Sequence, residues 1–293
     1  MSARRIIRVF PRRTRATPVD DLVRVNVPPG LFDECDEVHV SCTFSYDRPR
    51  AEWLERQWQH VAPVQISGPA YGDPGGEFVP GRYLRPGYTI TTRGCPNRCW
   101  FCDVWKREGP TRELPIRDGW NVLDSNLLAA SEPHIRAVFA MLARQTRRVE
   151  FTGGLEAARL QPWHVDLLAG LKPRPAVWLA YDEPRDLEPL REACRMLLAA
   201  GWTRASHRLR CYVLAGYPGD TLAAASERCA TAIAVGCTPM AMVYRGPDGR
   251  YPVGWRQWQR QWARPACIHA ANAQISGGTP SAEAAGSHGG VRD

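Results

Sequence analysis

Residues 88–102, YTITTRGCPNRCWFC, combine a predicted β-strand with three closely spaced cysteines. The first half of this stretch is rich in β-branched and aromatic residues, which is typical of a strand. The second half holds Cys95, Cys99 and Cys102 in the spacing C-x3-C-x2-C. The sequence therefore predicts that three thiols share one short loop at the end of a strand.

The number of cysteines in this loop restricts the kind of metal site that it can form. Three thiolates can bind three irons of a [4Fe–4S] cube and leave the fourth iron open to an outside ligand. A ferredoxin-type cluster or a closed zinc site needs a fourth protein ligand nearby. The next cysteine is Cys194 and the nearest downstream histidine is His134, so the sequence offers no such ligand close to the loop.

The cysteine loop resembles the cluster motif of the radical S-adenosylmethionine (radical SAM) enzymes, including Phe101 immediately before the third cysteine. The resemblance implies that Cys95, Cys99 and Cys102 hold a [4Fe–4S] cluster and that S-adenosylmethionine binds the fourth iron. An external one-electron reductant of the flavodoxin or ferredoxin type would cleave S-adenosylmethionine to methionine and a 5′-deoxyadenosyl radical. That radical would abstract hydrogen from a substrate that the sequence does not identify.

The competing hypothesis is a non-catalytic module, stabilised by zinc or an iron–sulfur cluster, that binds nucleic acid. Six arginines and no acid fall within the first sixteen residues, and three tryptophans recur between residues 255 and 262. Arginines can contact phosphates by charge, and tryptophans can stack on bases. The sequence favours the enzyme and leaves nucleic acid as an open but not favoured partner.

Strand and helix patterns alternate from residue 87 onwards, which favours a parallel sheet. The sequence predicts an α/β fold, namely a partial (βα)6 TIM-like barrel preceded by a small Rossmann-like α/β half-domain. The predicted strands of the barrel span residues 87–92, 119–123, 148–152, 176–181, 209–215 and 238–244. The predicted helices between them span residues 131–144, 160–169, 185–199 and 221–235.

Radical SAM enzymes also need a polar or glycine-rich stretch that holds the amino group of S-adenosylmethionine, and two segments compete for this role. Residues 123–126, LDSN, follow the second predicted strand, and residues 152–156, TGGLE, follow the third. Strand order favours the first segment slightly, and the chemistry suits either, because both offer oxygen acceptors to an ammonium group. The candidate residues are Asp124, Asn126, Gly153, Gly154 and Glu156.

Residues 213–221, VLAGYPGDT, resemble the segment that ends the fifth strand in cobalamin-associated radical SAM enzymes and methylthiotransferases. The resemblance implies a cofactor contact at Gly216. The D-x-H-x-x-G cobalamin motif is absent, and so is the second cysteine triplet of the methylthiotransferases. Asp182 follows the fourth predicted strand, where its carboxylate can accept hydrogen bonds from ribose hydroxyls.

Composition and patterning divide the chain into five predicted segments. They are a basic extended arm (residues 1–34), the half-domain (35–84), the radical SAM barrel (85–250), a tryptophan-rich C-terminal helix (251–275) and a disordered tail (276–293).

The overall composition is that of a globular protein, with 293 residues, 44% hydrophobic residues and a net charge of +8. No apolar run reaches the ~18 residues that a membrane-spanning helix needs, and no signal-peptide pattern follows the start. Ten cysteines without an export signal are typical of a reducing compartment. We therefore expect a cytoplasmic protein that does not enter a membrane.

Overall fold

The computed structural model describes residues 4–246, 248–263 and 267–268. It contains two parallel sheets, each packed against its own hydrophobic cluster. The first sheet has the strand order β2-β1-β3-β4, and all its strand pairs are parallel. Its elements are β1 (Ile6–Phe10), β2 (Val23–Val25), β3 (Glu37–Ser41), α1 (Arg48–Trp58) and β4 (Val64–Ser67).

The first sheet corrects the prediction that residues 1–34 form an extended arm. Strand β1 lies between β2 and β3, and its Ile7 and Val9 are completely buried. The prediction was wrong because the arginines around β1 hid its apolar alternation, and because their acidic partners come from other parts of the chain. Four of these arginines form ion pairs, which are Arg4–Glu37, Arg8–Asp20, Arg12–Asp47 and Arg15–Glu150.

The second sheet has six strands in the order β12-β11-β10-β9-β8-β5, and every pair is parallel. Each strand therefore pairs with the one that follows it along the chain within this sheet. Its strands are β5 (Tyr88–Thr89), β8 (Asn121–Val122), β9 (Glu150–Phe151), β10 (Ala176–Ala180), β11 (Leu209–Ala215) and β12 (Thr238–Val243). A short hairpin of β6 (Thr92–Arg93) and β7 (Arg112–Glu113) separates β5 from β8.

The helices of the second half are α2 (Val104–Glu108), α3 (Glu132–Ala143), α4 (Pro162–Gly170), α5 (Leu187–Ala199), α6 (Leu222–Ala234) and α7 (Trp255–Gln261). The predicted α/β fold with a parallel sheet is confirmed, and α3 to α6 begin and end within two residues of their predicted bounds. In α3, Ile135, Val138 and Leu142 are buried at helical spacing. Within the described ranges, no helix is long and apolar enough to cross a membrane.

The tryptophans near the C-terminus belong to the core of the second half. Trp255, Trp258 and Trp262 are all buried, and Trp258 donates a hydrogen bond to Ser226 Oγ at 2.8 Å. The sequence predicted a tryptophan-rich helix at residues 251–275, and α7 occupies part of that range. Rings buried in this way are not available to stack on bases. The predicted tail at residues 276–293 lies outside the described residues.

Candidate functional site

A narrow neck closes the loop that contains the three cysteines. The hairpin of β6 and β7 pairs Thr92 with Glu113 and Arg93 with Arg112. At the end of β6, Gly94 has a φ of +82°, and a Cβ there would lie 2.2 Å from the carbonyl oxygen of Pro110. Only glycine allows this close approach of the two chain segments. The neck therefore holds residues 94–111 as one closed loop beyond the carboxyl end of β5.

The three thiols lie close enough to influence one another. Burial, followed by the nearby thiols of Cys102 and Cys95, raises the pKa of Cys99 to about 11. Burial also raises the pKa of Cys102. A bound cation would reverse this effect, because a metal stabilises the thiolate form. The three-thiol donor set therefore suits a metal cluster.

No group of three Cys, His, Asp or Glu side chains within the described ranges is arranged to hold a single metal ion. A mononuclear site needs all its ligands around one point, at about 2.0–2.3 Å for zinc. In a [4Fe–4S] cube, by contrast, each cysteine binds a different iron. A cluster of this kind therefore does not require the three thiols to meet at one point.

A buried glutamate, which the sequence analysis missed, braces the start of the cysteine loop. Glu108 Oε2 accepts hydrogen bonds from the Gly94 amide at 2.9 Å and from Ser125 Oγ at 2.6 Å. Arg107 donates to the other oxygen at 2.7 Å. Burial alone would raise the pKa of Glu108, but these hydrogen bonds outweigh it and lower the pKa. Nothing in the local sequence distinguishes Glu108 from a surface glutamate at the end of a helix.

The two segments that competed for the amino group of S-adenosylmethionine meet beside the first cysteine. Asn126 Nδ2 donates to Glu156 Oε2 at 2.6 Å and lies 3.4 Å from Cys95 Sγ. Arg159 also donates to Glu156 Oε2, at 2.7 Å. Among the described residues, no hydrogen bond occupies Glu156 Oε1. One oxygen of this carboxylate is thus available next to the cysteine loop.

The paired glycines shape the turn that leads to Glu156. A Cβ at Gly153 would lie 2.4 Å from the carbonyl oxygen of Asp124, so the exits of β8 and β9 touch through their backbones. Gly154 has a φ of +89°, in the left-handed region. These two positions require glycine for backbone reasons alone, and the turn directs Glu156 towards Asn126.

The side chain of Asp124 has different partners from that of Asn126, although only one residue separates the two. Its side chain is buried, with 2% of the residue exposed. One oxygen accepts from the Thr91 amide and the other from Thr91 Oγ1, both at 2.6 Å. Burial raises the pKa of Asp124, against these hydrogen bonds. Asp124 therefore ties the exit of β8 to that of β5.

Aromatic rings cluster around the cysteine loop. Phe101 packs edge-on against Trp100, with ring centroids 5.3 Å apart. Trp100 also contacts Tyr217 at 5.3 Å and Tyr244 at 6.2 Å, yet 49% of Trp100 remains exposed. The sequence analysis assigned no role to Trp100. Its position between two of the cysteines was the available signal.

The remaining candidates, Asp182 and Gly216, both follow strands of the large sheet. Asp182 Oδ1 accepts a hydrogen bond from the Leu214 amide at 2.8 Å, and burial raises its pKa to about 6. Gly216 donates its amide hydrogen to Asp220 Oδ2 at 2.8 Å. A Cβ at Gly216 would lie 2.9 Å from Trp255, so this glycine also serves the packing of α7.

Comparison with models of known protein families finds no match for the chain, and comparison with curated proteins finds none either.

Proposed function

We propose that the chain is a radical SAM enzyme whose substrate is not identified. The observation that carries the proposal is the convergence of Cys95, Asn126 and Glu156. A loop with three thiols and no fourth thiolate nearby suits a cluster with one open iron. A carboxylate oxygen without a partner beside that loop suits the ammonium group of a ligand bound to the open iron.

The architecture supports the same proposal. Six parallel strands in sequential order, linked mainly by helices, are the expected arrangement of a partial (βα)6 barrel. The cysteine loop follows the first of these strands, and Asn126 and Glu156 follow the second and third. Because the carboxyl ends of parallel strands share one edge of a sheet, loops from successive strands can build a single site there.

In this proposal Cys95, Cys99 and Cys102 hold a [4Fe–4S] cluster. Together with S-adenosylmethionine, the cluster supplies one-electron cleavage of a sulfonium bond when an external reductant of the flavodoxin or ferredoxin type is present. Glu156 Oε1 accepts hydrogen bonds from the ammonium group. Asn126 keeps the Glu156 carboxylate in position, and Glu108 holds Gly94 and hence the start of the loop. Trp100 and Phe101 pack against each other within the cysteine loop and add apolar surface beside the site.

Anaerobic reconstitution tests the proposal. The purified protein should take up roughly four irons per chain, as the three-thiolate arrangement requires, and should form 5′-deoxyadenosine from S-adenosylmethionine with dithionite. Cys95→Ala, Cys99→Ala and Cys102→Ala should each abolish iron uptake and product formation. Cys35→Ala is the matched control, because Cys35 is a partly buried cysteine of the other sheet region and should leave both unchanged. Stoichiometric zinc without iron would disprove the proposal.

A further inference from the structure

A cavity of about 400 Å³ lies between the two sheets. The exits of β1, β3 and β4 line one side of it, and Ile90, Arg93 and Leu123 from the second half line another. A volume of this size falls within the range of small-molecule pockets, which occur preferentially where domains meet. The cavity is separate from the position of Glu156, which does not line it.

The cavity lies where a doubly wound sheet places its ligands. In the order β2-β1-β3-β4, the chain runs from β1 to one side and then crosses to the other, so the order reverses between β1 and β3. Ligands of open α/β sheets bind beyond the carboxyl ends of the strands at such a reversal. Phe10 ends β1 and Ser41 ends β3, and both line the cavity.

Several polar groups in the cavity wall have no partner. Ser41 and Ser67 pair in register at the ends of β3 and β4, and Thr43 lies two residues after Ser41. Within the part of the chain that the structure describes, no side-chain hydrogen bond involves these three hydroxyl groups, of which Ser41 and Ser67 are partly buried and Thr43 is exposed. A hydroxyl group can both donate and accept a hydrogen bond. These three groups suit a molecule with donors and acceptors on its edge.

The charged residues of the wall balance in number, with three arginines and three acids, namely Arg12, Arg82, Arg93, Asp47, Asp73 and Glu77. Arg12 binds Asp47 through two hydrogen bonds of 2.7 and 2.8 Å, Glu77 pairs with Arg117, and Arg93 lies 3.6 Å from Glu108. Little net charge therefore remains to attract an ion. The rings of Phe10, Phe78 and Tyr83 line the same space, and aromatic walls favour flat rings.

We propose that this cavity binds a neutral nucleoside, with its base among the aromatic rings and its hydroxyl groups against Ser41, Thr43 and Ser67. This site is distinct from the cysteine loop and does not depend on the radical SAM proposal.

Isothermal titration of the full-length protein with adenosine, guanosine, cytidine and uridine tests the site. We expect at least one nucleoside to bind with a dissociation constant below 1 mM. Thr43→Trp, which places a large ring at the cavity wall, should weaken binding at least tenfold. Ser67→Ala should weaken it roughly threefold, as the loss of one neutral hydrogen bond implies. Val19→Trp is the matched control, because Val19 is 68% exposed and lies outside the cavity wall.

The variant Glu156→Ala separates the cavity from the cysteine loop. Binding that survives Glu156→Ala and is lost in Thr43→Trp supports the cavity. Binding that is lost in Glu156→Ala and kept in Thr43→Trp overturns the proposal, and so does the absence of binding by all four nucleosides at 1 mM. Should Thr43→Trp fail to fold by circular dichroism, Ser67→Ala and Thr43→Val decide, and unchanged affinity in both overturns it.

Discussion

The side-chain amide of Asn126 donates a hydrogen bond to Glu156 Oε2 at 2.6 Å, across a sequence separation of 30 residues. The two residues follow neighbouring strands, β8 and β9, which the parallel sheet brings side by side. This contact uses one oxygen of Glu156, and the second oxygen has no hydrogen bond from the described residues. Both oxygens of Asp124, by contrast, accept hydrogen bonds from Thr91.

Replacement of Glu156 and of Asp124 should therefore have different effects. In protein with an intact cluster, Glu156→Ala should weaken S-adenosylmethionine binding by one to two orders of magnitude, since a charge-assisted hydrogen bond contributes about 1.5–3 kcal/mol. Asp124→Ala should instead lower the free energy of unfolding by about 2–4 kcal/mol, because it leaves two buried donors of Thr91 unpaired. Equilibrium binding and urea unfolding measure the two effects. A loss of affinity in Asp124→Ala without a loss of stability would reverse the assignment.

Removal of the Glu108 carboxylate should disturb the cysteine loop. In Glu108→Ala the Gly94 amide, Ser125 and Arg107 all lose an acceptor, which should cost about 3–5 kcal/mol because the charge is buried and paired. The variant should also bind less iron on reconstitution. The control is Glu188→Ala, whose ion pair with Arg191 is exposed and contributes about 0–1 kcal/mol. Normal iron content in Glu108→Ala would show that the loop keeps its shape without this brace.

Gly216→Ala and Gly219→Ala form a matched pair that tests the packing of α7. Both glycines have positive φ, at +73° and +87°. A Cβ at Gly216 would collide with Trp255, whereas a Cβ at Gly219 meets nothing within 4 Å. Each variant should lose about 1–2 kcal/mol from backbone strain, and Gly216→Ala should lose about 1–3 kcal/mol more from overpacking. Equal losses in thermal or urea unfolding would contradict the predicted contact.

Asp182 should make stability depend on pH in a defined window. Burial raises its pKa from 3.8 to about 6, so the folded protein binds this proton more tightly than the unfolded chain. Its stabilising contribution is therefore complete below about pH 4 and is lost as the pH rises through 6. The change amounts to about 3 kcal/mol. Urea unfolding of Asp182→Asn at pH 4 and pH 6.5 should show a smaller pH dependence than the wild-type chain; parallel profiles would contradict the assignment.

Deletion of residues 1–16 should unfold the first sheet rather than remove a dispensable arm. The deletion takes away β1, which pairs with both β2 and β3 and contributes the buried Ile7 and Val9. Circular dichroism and limited proteolysis should reveal the loss. Arg13→Ala removes one charge of the same segment and should leave the fold intact. A truncated protein with unchanged helix content and melting temperature would contradict the role of β1.

The sequence predicted the elements whose buried side appears as a regular pattern along the chain. Helix α3 follows from the periodic burial of Ile135, Val138 and Leu142, and the cysteine loop follows from residue spacing. Strand β1 was missed because the acids that pair with Arg4, Arg8 and Arg12 lie between 12 and 35 positions away. The different roles of Asp124 and Asn126 depend on the direction of each side chain at a strand exit. Sequence separation alone does not contain that information.

The order of the strands also bears on how the chain assembles during synthesis. All four strands of the first sheet lie between Ile6 and Ser67, so every partner of β1 is synthesised before Cys95. In the second sheet each new strand finds its neighbour already formed, which keeps the contacts local and favours rapid folding. Nascent chains generally fold from the N-terminal end. The three thiols of the cysteine loop are therefore made after the first sheet is complete, and β8 and β9 follow them along the chain.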